Sequence, residues 1–338
     1  MARQPPAVAR VLERVTKTVR QHEMFRESDT VLVMVSGGPD SVCLLYSLWH
    51  LRRLFKVQLE VFHFDHHLRP DSRKDAVYVR RLAERLHVPF HLDEAEDRPR
   101  KGMSVEAWAT VTRSNAANDV RRRIGAATMA EGHTLDDQAE TVLLNLIRGT
   151  GLDGIVGIDA GDRGNRWVQP LIDVERNDVE AFCRALHLRP RRDPMNEDRR
   201  LLRNAIRLDV IPMLERVTDR AVKPSIARTA ATLRGDRDEL FSATHLAALD
   251  VIAGERGGEV TFDAAGLRAL SPPMANRVVR LGVYNALSIH EPPWSKAAIE
   301  AVLDLARGRP GRTRNLPNGR TVRRDRTHVV VTRPEPSD

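Results

Sequence analysis

Val31-Leu-Val-Met-Val35 runs directly into Ser36-Gly-Gly-Pro-Asp-Ser41, and a second apolar run, Val42 to Trp49, follows. A short run rich in β-branched residues, apolar on both faces, is the pattern of a strand buried in a parallel sheet. A glycine turn that opens a helix leaves backbone N–H groups free to meet an anion, most often a phosphate. The plain alternative is a tight strand-to-helix turn with a serine cap. Hydroxyls at both ends, Ser36 and Ser41, and the carboxylate of Asp40 point beyond that alternative. A carboxylate beside phosphate makes sense mainly when Mg²⁺ lies between them. The loop has no lysine, so it is not G-x-x-x-x-G-K-[ST], and it does not match G-x-G-x-x-G.

The surrounding chain repeats the alternation. Val8 to Arg26 reads as an amphipathic helix, Gln58 to Asp65 as a second strand, Val88 to Leu92 as a third and Ala126 to Ala130 as a weak fourth. Helices are expected after Asp71, after Ser104 and from Leu135 to Arg148, and His66 and His67 lie in the loop after the second strand. Strands and helices so spaced predict a doubly wound, mostly parallel α/β sheet of Rossmann-like type, with ligand groups at strand C-termini. A chain of 338 residues is long for one domain. A Pro-broken basic segment, with Arg203 and Arg207 in it, precedes a mainly helical stretch and a terminal β element, Arg320 to Arg333, read as a hairpin with its arginines outside. Domains are therefore expected at 1–217 and 218–338.

No window approaches eighteen uninterrupted apolar residues, and Met1 to Pro6 leads into a charged helical pattern without a signal-peptide core. Cys43 and Cys183 lack C-x-x-C spacing and read as packed thiols in a reducing compartment, so a cytoplasmic, non-membrane protein is expected. The net charge of +8 suits a polyanionic partner, although arginine-rich genome composition alone could produce it.

The strongest helical pattern is Leu135–Arg148, where Ala139, Val142, Leu143, Leu146 and Ile147 share one stripe that should be buried. Thr134 and Asp137 match the [ST]-x-x-[DE] start signal. Asp136, Asp137 and Glu140 thus gather at the first turn, off that stripe. Ordinary capping at the positive end of the dipole accounts for one or two acids. Three acids beside His133 also fit a metal–phosphate or amine-binding role.

Taken together, these motifs resemble a known family. Ser36-Gly-Gly-Pro-Asp-Ser41 resembles the S-G-G-x-D-S loop of the PP-loop (N-type) ATP pyrophosphatases. Asp65-His-His-Leu-Arg69, residues 132–151, and Arg203-Asn-Ala-Ile-Arg207 with Ile211-Pro212 are similar to blocks of the tRNA(Ile)-lysidine synthetases within that group. The resemblance implies a carbon–nitrogen ligase that adenylates C2 of the wobble cytidine of tRNA(Ile) bearing a CAU anticodon. The side-chain amine of free L-lysine then displaces AMP. It implies that Ser36, Gly37, Gly38, Pro39, Asp40 and Ser41 bind ATP, with His66 and His133 near the adenine or in proton transfer. Asp40, Asp137, Glu140 and Arg113 would be catalytic, Mg²⁺ would sit on Asp40 and Asp136, and Asp137, Glu140 and Arg148 would receive lysine. Arg203 and Arg207 would contact tRNA, and a homodimer stays open. Around Glu106 the chain departs from the family's E-A-x-A-R-x-x-R-Y, with Thr110 and Ser114 in its Arg and Tyr places, and it is shorter than the longest members.

Two other readings stay open. A PP-loop tRNA thiolase would typically use catalytic or cluster-binding cysteines, against which the isolated Cys43 and Cys183 count. A tRNA-binding homologue without activity is disfavoured by the intact loop. A glutamine-dependent amidotransferase would need a glutaminase segment for which there is neither room nor motif.

Overall fold

The structure, a computed structural model, describes residues 4–69, 71–99, 104–161, 166–191, 197–256, 258–287 and 295–332. The expected tail after Pro334, and part of the charged loop read between Asp93 and Gly102, lie outside the described residues. The chain divides into two compact units, Met1–Leu233 and Arg234–Asp338.

The first unit is built on a parallel sheet. β1 (Thr30–Met34) lies at its centre, between β2 (Gln58–Asp65) and β4 (Thr128–Ala130), with β3 (Phe90–Glu94) and β5 (Trp167–Val168) at the edges. Its helices are α1 (Pro6–Gln21), α2 (Pro39–Phe55), α3 (Arg73–Leu86), α4 (Val105–Ile124), α5 (Leu135–Arg148), α6 (Leu152–Ile155), α7 (Arg176–Ala185), α8 (Leu202–Ala205) and α9 (Ile211–Thr218), with a π-helical turn at Ile206–Val210. The period of two in β1 assigns its side chains to two cores. Val31, Val33 and Val35 pack with residues of α1, α2, α3 and α7. Leu32 and Met34 pack with Phe62, Phe64, Met129 and the Ala117 and Val120 side chains of α4. A sheet covered on both faces is why its central strand is apolar from Val31 to Met34, with the polar Thr30 only at its half-buried start. Cys43 and Cys183 are both buried and free.

α10 (Lys223–Val251) begins in the first unit, where Val222 and Ile226 pack on Ala139, Ile206 and Ile211. Lys223 also donates to Asp136 at 2.6 Å. These contacts explain why the division falls at 233/234 rather than at the expected 217/218.

The second unit holds an antiparallel sheet of β6 (Ile252–Arg256), β7 (Glu259–Asp263), β8 (Thr313–Asn315), β9 (Thr321–Arg324) and β10 (His328–Thr332), in the order β6-β7-β10-β9-β8. α11 (Ala264–Ala269), α12 (Pro272–Leu287) and α13 (Lys296–Arg307) pack on it, through Val278, Val279, Ile299 and Val302 among others. The terminal hairpin is present as β9 and β10, but its arginines are not all outside. Arg324 shares the inward parity of Val322, is 5% exposed, and donates from Nη1 to the His328 carbonyl at 3.1 Å. Arg320 is equally buried, and Arg323 is exposed. Among the described residues no helix is long and apolar enough to cross a membrane.

Candidate active site

The chain winds from β1 through β2 to β3 on one side, then returns to place β4 and β5 on the other. The reversal puts a crevice at the C-terminal ends of β1 and β4, where open α/β sheets bind ligands. A cavity of about 330 Å³ opens there. Its polar lining includes Ser36, Asp40, Ser41, His66, Arg113 and Asp137. Asp65, Glu131, Gly132 and His133 complete that side of it.

Two glycines shape the loop. Gly37 has φ +94°, a left-handed conformation that favours glycine. At Gly132 an added Cβ would lie 3.1 Å from the carbonyl carbon and oxygen of Asp40 and 3.2 Å from the Ser41 nitrogen, so the turn after β4 presses backbone against backbone on the loop. The loop's hydroxyls brace it from within. Ser36 and Ser41 Oγ are 3.1 Å apart, Gly37 N–H donates to Ser41 Oγ at 3.2 Å, and Ser41 Oγ donates to the Gly38 carbonyl at 3.0 Å. Gly38 is the N-cap of α2 without a side-chain cap, and Pro39 begins the helix where its missing N–H is harmless. The helix start therefore faces the cavity with Asp40 in its first turn.

Asp40 is the least satisfied acid of the site. Its Oδ1 is buried with no hydrogen-bond partner among the described residues, and Oδ2 lies 3.7 Å from Arg176 Nη2. Burial pushes its carboxyl up to about 6; Arg176 opposes the rise, and Asp137 and Asp136 reinforce it. A buried carboxylate oxygen aimed at nothing, beside a phosphate-type loop, fits a divalent cation shared with phosphate oxygens. Among the described residues no three His, Cys, Asp or Glu side chains converge on a protein-only metal cage.

The acids of α5 are buried, contrary to the helical stripe read from the sequence. Asp136, Asp137 and Glu140 are 7%, 8% and 0% exposed, whereas Leu146 and Ile147 are 59% and 58% exposed. Ala139 and Val142 keep their buried places and Leu143 is half-buried. Arginines from distant segments explain the reversal. Glu140 accepts from Arg203 Nε at 3.0 Å, Arg207 Nε at 2.8 Å and Arg176 Nη1 at 3.4 Å. Asp137 Oδ1 accepts from Arg203 and Arg176 at 3.1 and 3.2 Å, and Oδ2 completes the capping box with Thr134. Burial alone would raise the Asp137 carboxyl, but Arg176, His133, Arg203 and Thr134 outweigh it and hold it at about 2.

The expected roles therefore meet different placements. Asp137 lines the cavity; Glu140 lies behind it, its oxygens already held by three guanidinium groups. Arg203 and Arg207, expected on tRNA, are turned inward to those acids. Asp136, expected on Mg²⁺, spends Oδ1 on Lys223 and Oδ2 on the Arg176 N–H at the start of α7, at 2.6 and 2.8 Å. Arg148, expected on lysine, is exposed in the last turn of α5, at the opposite end of that helix from the acids.

On the cavity's other wall, Arg113 Nη2 donates to Glu131 Oε1 at 3.0 Å and His133 Nε2 lies 3.6 Å from Glu131 Oε2. His66 stands edge-on to Phe64 at 4.7 Å, with Trp108 beyond at 5.9 Å. Burial, then Arg113, lower the His66 imidazole to about 4, so it is neutral near pH 7 and a weak proton acceptor. A neutral ring among aromatics is suited to contact a base. Glu131 and Arg176 are site residues that the sequence reading missed. Glu131 directly precedes the 132–151 block and was visible as an acid at a strand end. Arg176 gave no signal, being an isolated arginine whose partners lie 36 to 136 residues away.

A parallel sheet with a glycine–carboxylate phosphate loop at its switch point defines a nucleotide-using α/β domain. The chain belongs to the PP-loop family, whose domain model matches residues 8–214. Residues 262–330 match the TilS substrate binding domain. The tRNA(Ile)-lysidine synthase of Clostridioides difficile is 33% identical over 282 residues, 82% of this chain and 61% of that protein. Those of Caldanaerobacter subterraneus and Symbiobacterium thermophilum are each 35% identical, over 80% and 91% of this chain and 58% and 66% of theirs. The chain thus spans about three fifths of the length of these relatives. The U34-tRNA thiolase of Methanococcus maripaludis shares the fold, with a TM-score of 0.58, 19% identity, and coverage of 67% of this chain and 78% of that one.

Proposed function

We propose that this chain carries out tRNA(Ile)-lysidine synthesis: ATP adenylates C2 of the wobble cytidine in tRNA(Ile) with a CAU anticodon, pyrophosphate leaves, and the side-chain amine of free L-lysine displaces AMP. The observation that carries the ATP half is the buried, unpartnered Oδ1 of Asp40 beside the Gly37–Ser41 loop. The relatives' shared name carries the choice of tRNA and lysine.

In this reading the N–H groups of the loop and of the first turn of α2 meet the phosphates. Asp40 would hold Mg²⁺, which when bound would offset charge on the departing pyrophosphate. Arg113, oriented by Glu131, faces the cavity where negative charge develops on the α-phosphate. His66 takes a base edge as a neutral imidazole. Of the three α5 acids only Asp137 lines the cavity, and lysine's ammonium reaches it by exchanging with Arg203 or Arg176, whose guanidinium groups donate to its Oδ1. Thiolation finds less support. Burial pushes the Cys183 thiol up to about 12 and raises Cys43 too, so neither offers a ready thiolate.

The test is to incubate the protein with ATP, Mg²⁺ and a tRNA(Ile) transcript, with and without lysine, and follow AMP release and the mass of the wobble nucleoside. Lysine-dependent mass gain at cytidine is expected. Sulfur incorporation, or a cytidine unchanged under every condition, would overturn the proposal.

A further inference from the structure

A second concavity, of about 700 Å³, lies along α3 and the segment that follows α7. Lys74, Tyr78, Arg81 and Arg85 line it at i, i+4, i+7 and i+11, a single face of α3 that extends about 16 Å at 1.5 Å per residue. Arg73 joins from the same helix, and Arg189 closes the opposite wall. Five of these side chains, Arg73, Lys74, Arg81, Arg85 and Arg189, are cationic and exposed, and no carboxylate pairs with any of them among the described residues. Their gathering opposes local stability. Arg73 and Lys74 sit in the first turn of α3, where the helix dipole disfavours cations, and Arg81 and Arg85 are a like-charge i,i+4 pair.

The floor of the groove ties it to the nucleotide loop. Tyr78 Oη is buried without a hydrogen-bond partner among the described residues. The Tyr78 ring and Arg191 back directly onto Gly37: a Cβ there would meet Tyr78 Cδ1 at 3.5 Å and Arg191 Cγ at 3.7 Å. The Arg191 N–H donates to the Gly37 carbonyl at 2.9 Å. Arg191 is itself neutralised by Asp75 at 2.8 Å and Asp71 at 3.6 Å, which leaves the other five cations as the unbalanced charge.

We infer that this groove is a track for the sugar–phosphate backbone of an RNA, delivering it alongside the loop that holds the nucleotide. Unpaired guanidinium and ammonium groups spaced along a helix face match a polyanion and gain from counterion release. The groove is concave and touches the phosphate loop from behind, which favours a strand led toward the site over a flat anionic surface. The inference relies on the proposed function only for naming the RNA as tRNA.

Reversing two charges away from the cavity, Arg81→Glu with Arg85→Glu, tests it. Binding of a tRNA(Ile) transcript is measured against salt, alongside ATP affinity and the thermal unfolding curve. Weakening of tRNA binding by about tenfold or more near 0.1 M salt is expected, with the salt slope reduced by about one to two. ATP affinity should be unchanged. The milder Arg81→Gln, Arg85→Gln pair should lose part of the same slope with the unfolding curve unaltered. Unchanged tRNA affinity and slope in both pairs would overturn the inference. A wild-type protein that binds tRNA through the groove yet incorporates no lysine would overturn the proposed function and leave the groove standing.

Discussion

Asp40 and Gly132 carry the sharpest consequences at the level of single residues. The Asp40 carboxyl is raised to about 6 from an ordinary 3.8, so the folded protein binds more protons than the unfolded chain between those values. Stability should therefore fall as pH rises through that window. Asp40→Asn removes this penalty, and in ligand-free protein denaturant titrations should show it more stable than wild type above pH 6, by on the order of 2 kcal/mol, with the difference vanishing near pH 4. The same variant should lose adenylation, because its buried oxygen no longer offers a charge. Asp137 behaves oppositely. Its carboxyl at about 2 contributes stability that is complete above about pH 4 and lost as pH falls toward 2. Gly132→Ala should distort the loop, since the neighbouring atoms at 3.1 Å are backbone and cannot swing aside. A loss of ATP affinity with only modest loss of melting temperature is the expected result; unchanged ATP affinity would show that the loop tolerates the push.

Among the elements, α5 is where sequence and structure part most clearly. Its start was legible, because a Thr-x-x-Asp capping box is a local signal and the structure forms both of its bonds. Its buried face was not. Apolar periodicity pointed to Leu146 and Ile147, whereas the buried end is held by arginines from α7 and α8 and the turn after them, between 36 and 67 residues away. Charge pairing across such separations leaves no periodic trace. In the first sheet β1, β2 and β4 were legible as apolar-rich runs and β3 as a run read two residues early, at 88–92; β5 was missed, because Trp167–Val168 is only two residues long. In the second unit β6 and β8 were missed, since Ile252–Arg256 and Thr313–Asn315 are short and mostly polar at the sheet's edges. Removing the carboxylate at the centre of the α5 network, as in Glu140→Ala, leaves three partly buried guanidinium groups without their counter-ion. Destabilisation on the order of 3 kcal/mol is expected from chemical unfolding, with Glu140→Gln intermediate. A change below about 0.5 kcal/mol would show that water neutralises those arginines equally well.

For the molecule as a whole, the phosphate loop and the cavity at the strand C-termini followed from the order of strands, glycines and acids along the chain, whereas two units, expected from length and composition at 1–217 and 218–338, divide at 233/234. Partner chemistry at the cavity was legible only as a set of candidates, because the lysine, tRNA and metal roles assigned to Asp136, Glu140, Arg203 and Arg207 compete with ion pairs that no local pattern shows. Central to the proposed activity is that ATP bound at the Asp40 loop activates cytidine for attack by lysine. Mass spectrometry of the wobble nucleoside from tRNA(Ile), after reaction with ATP, Mg²⁺ and isotopically labelled lysine, tests this most directly. Label retained on cytidine, dependent on ATP and abolished by Asp40→Ala, is the predicted result; label absent from cytidine in the wild-type reaction, or undiminished in the variant, would contradict it.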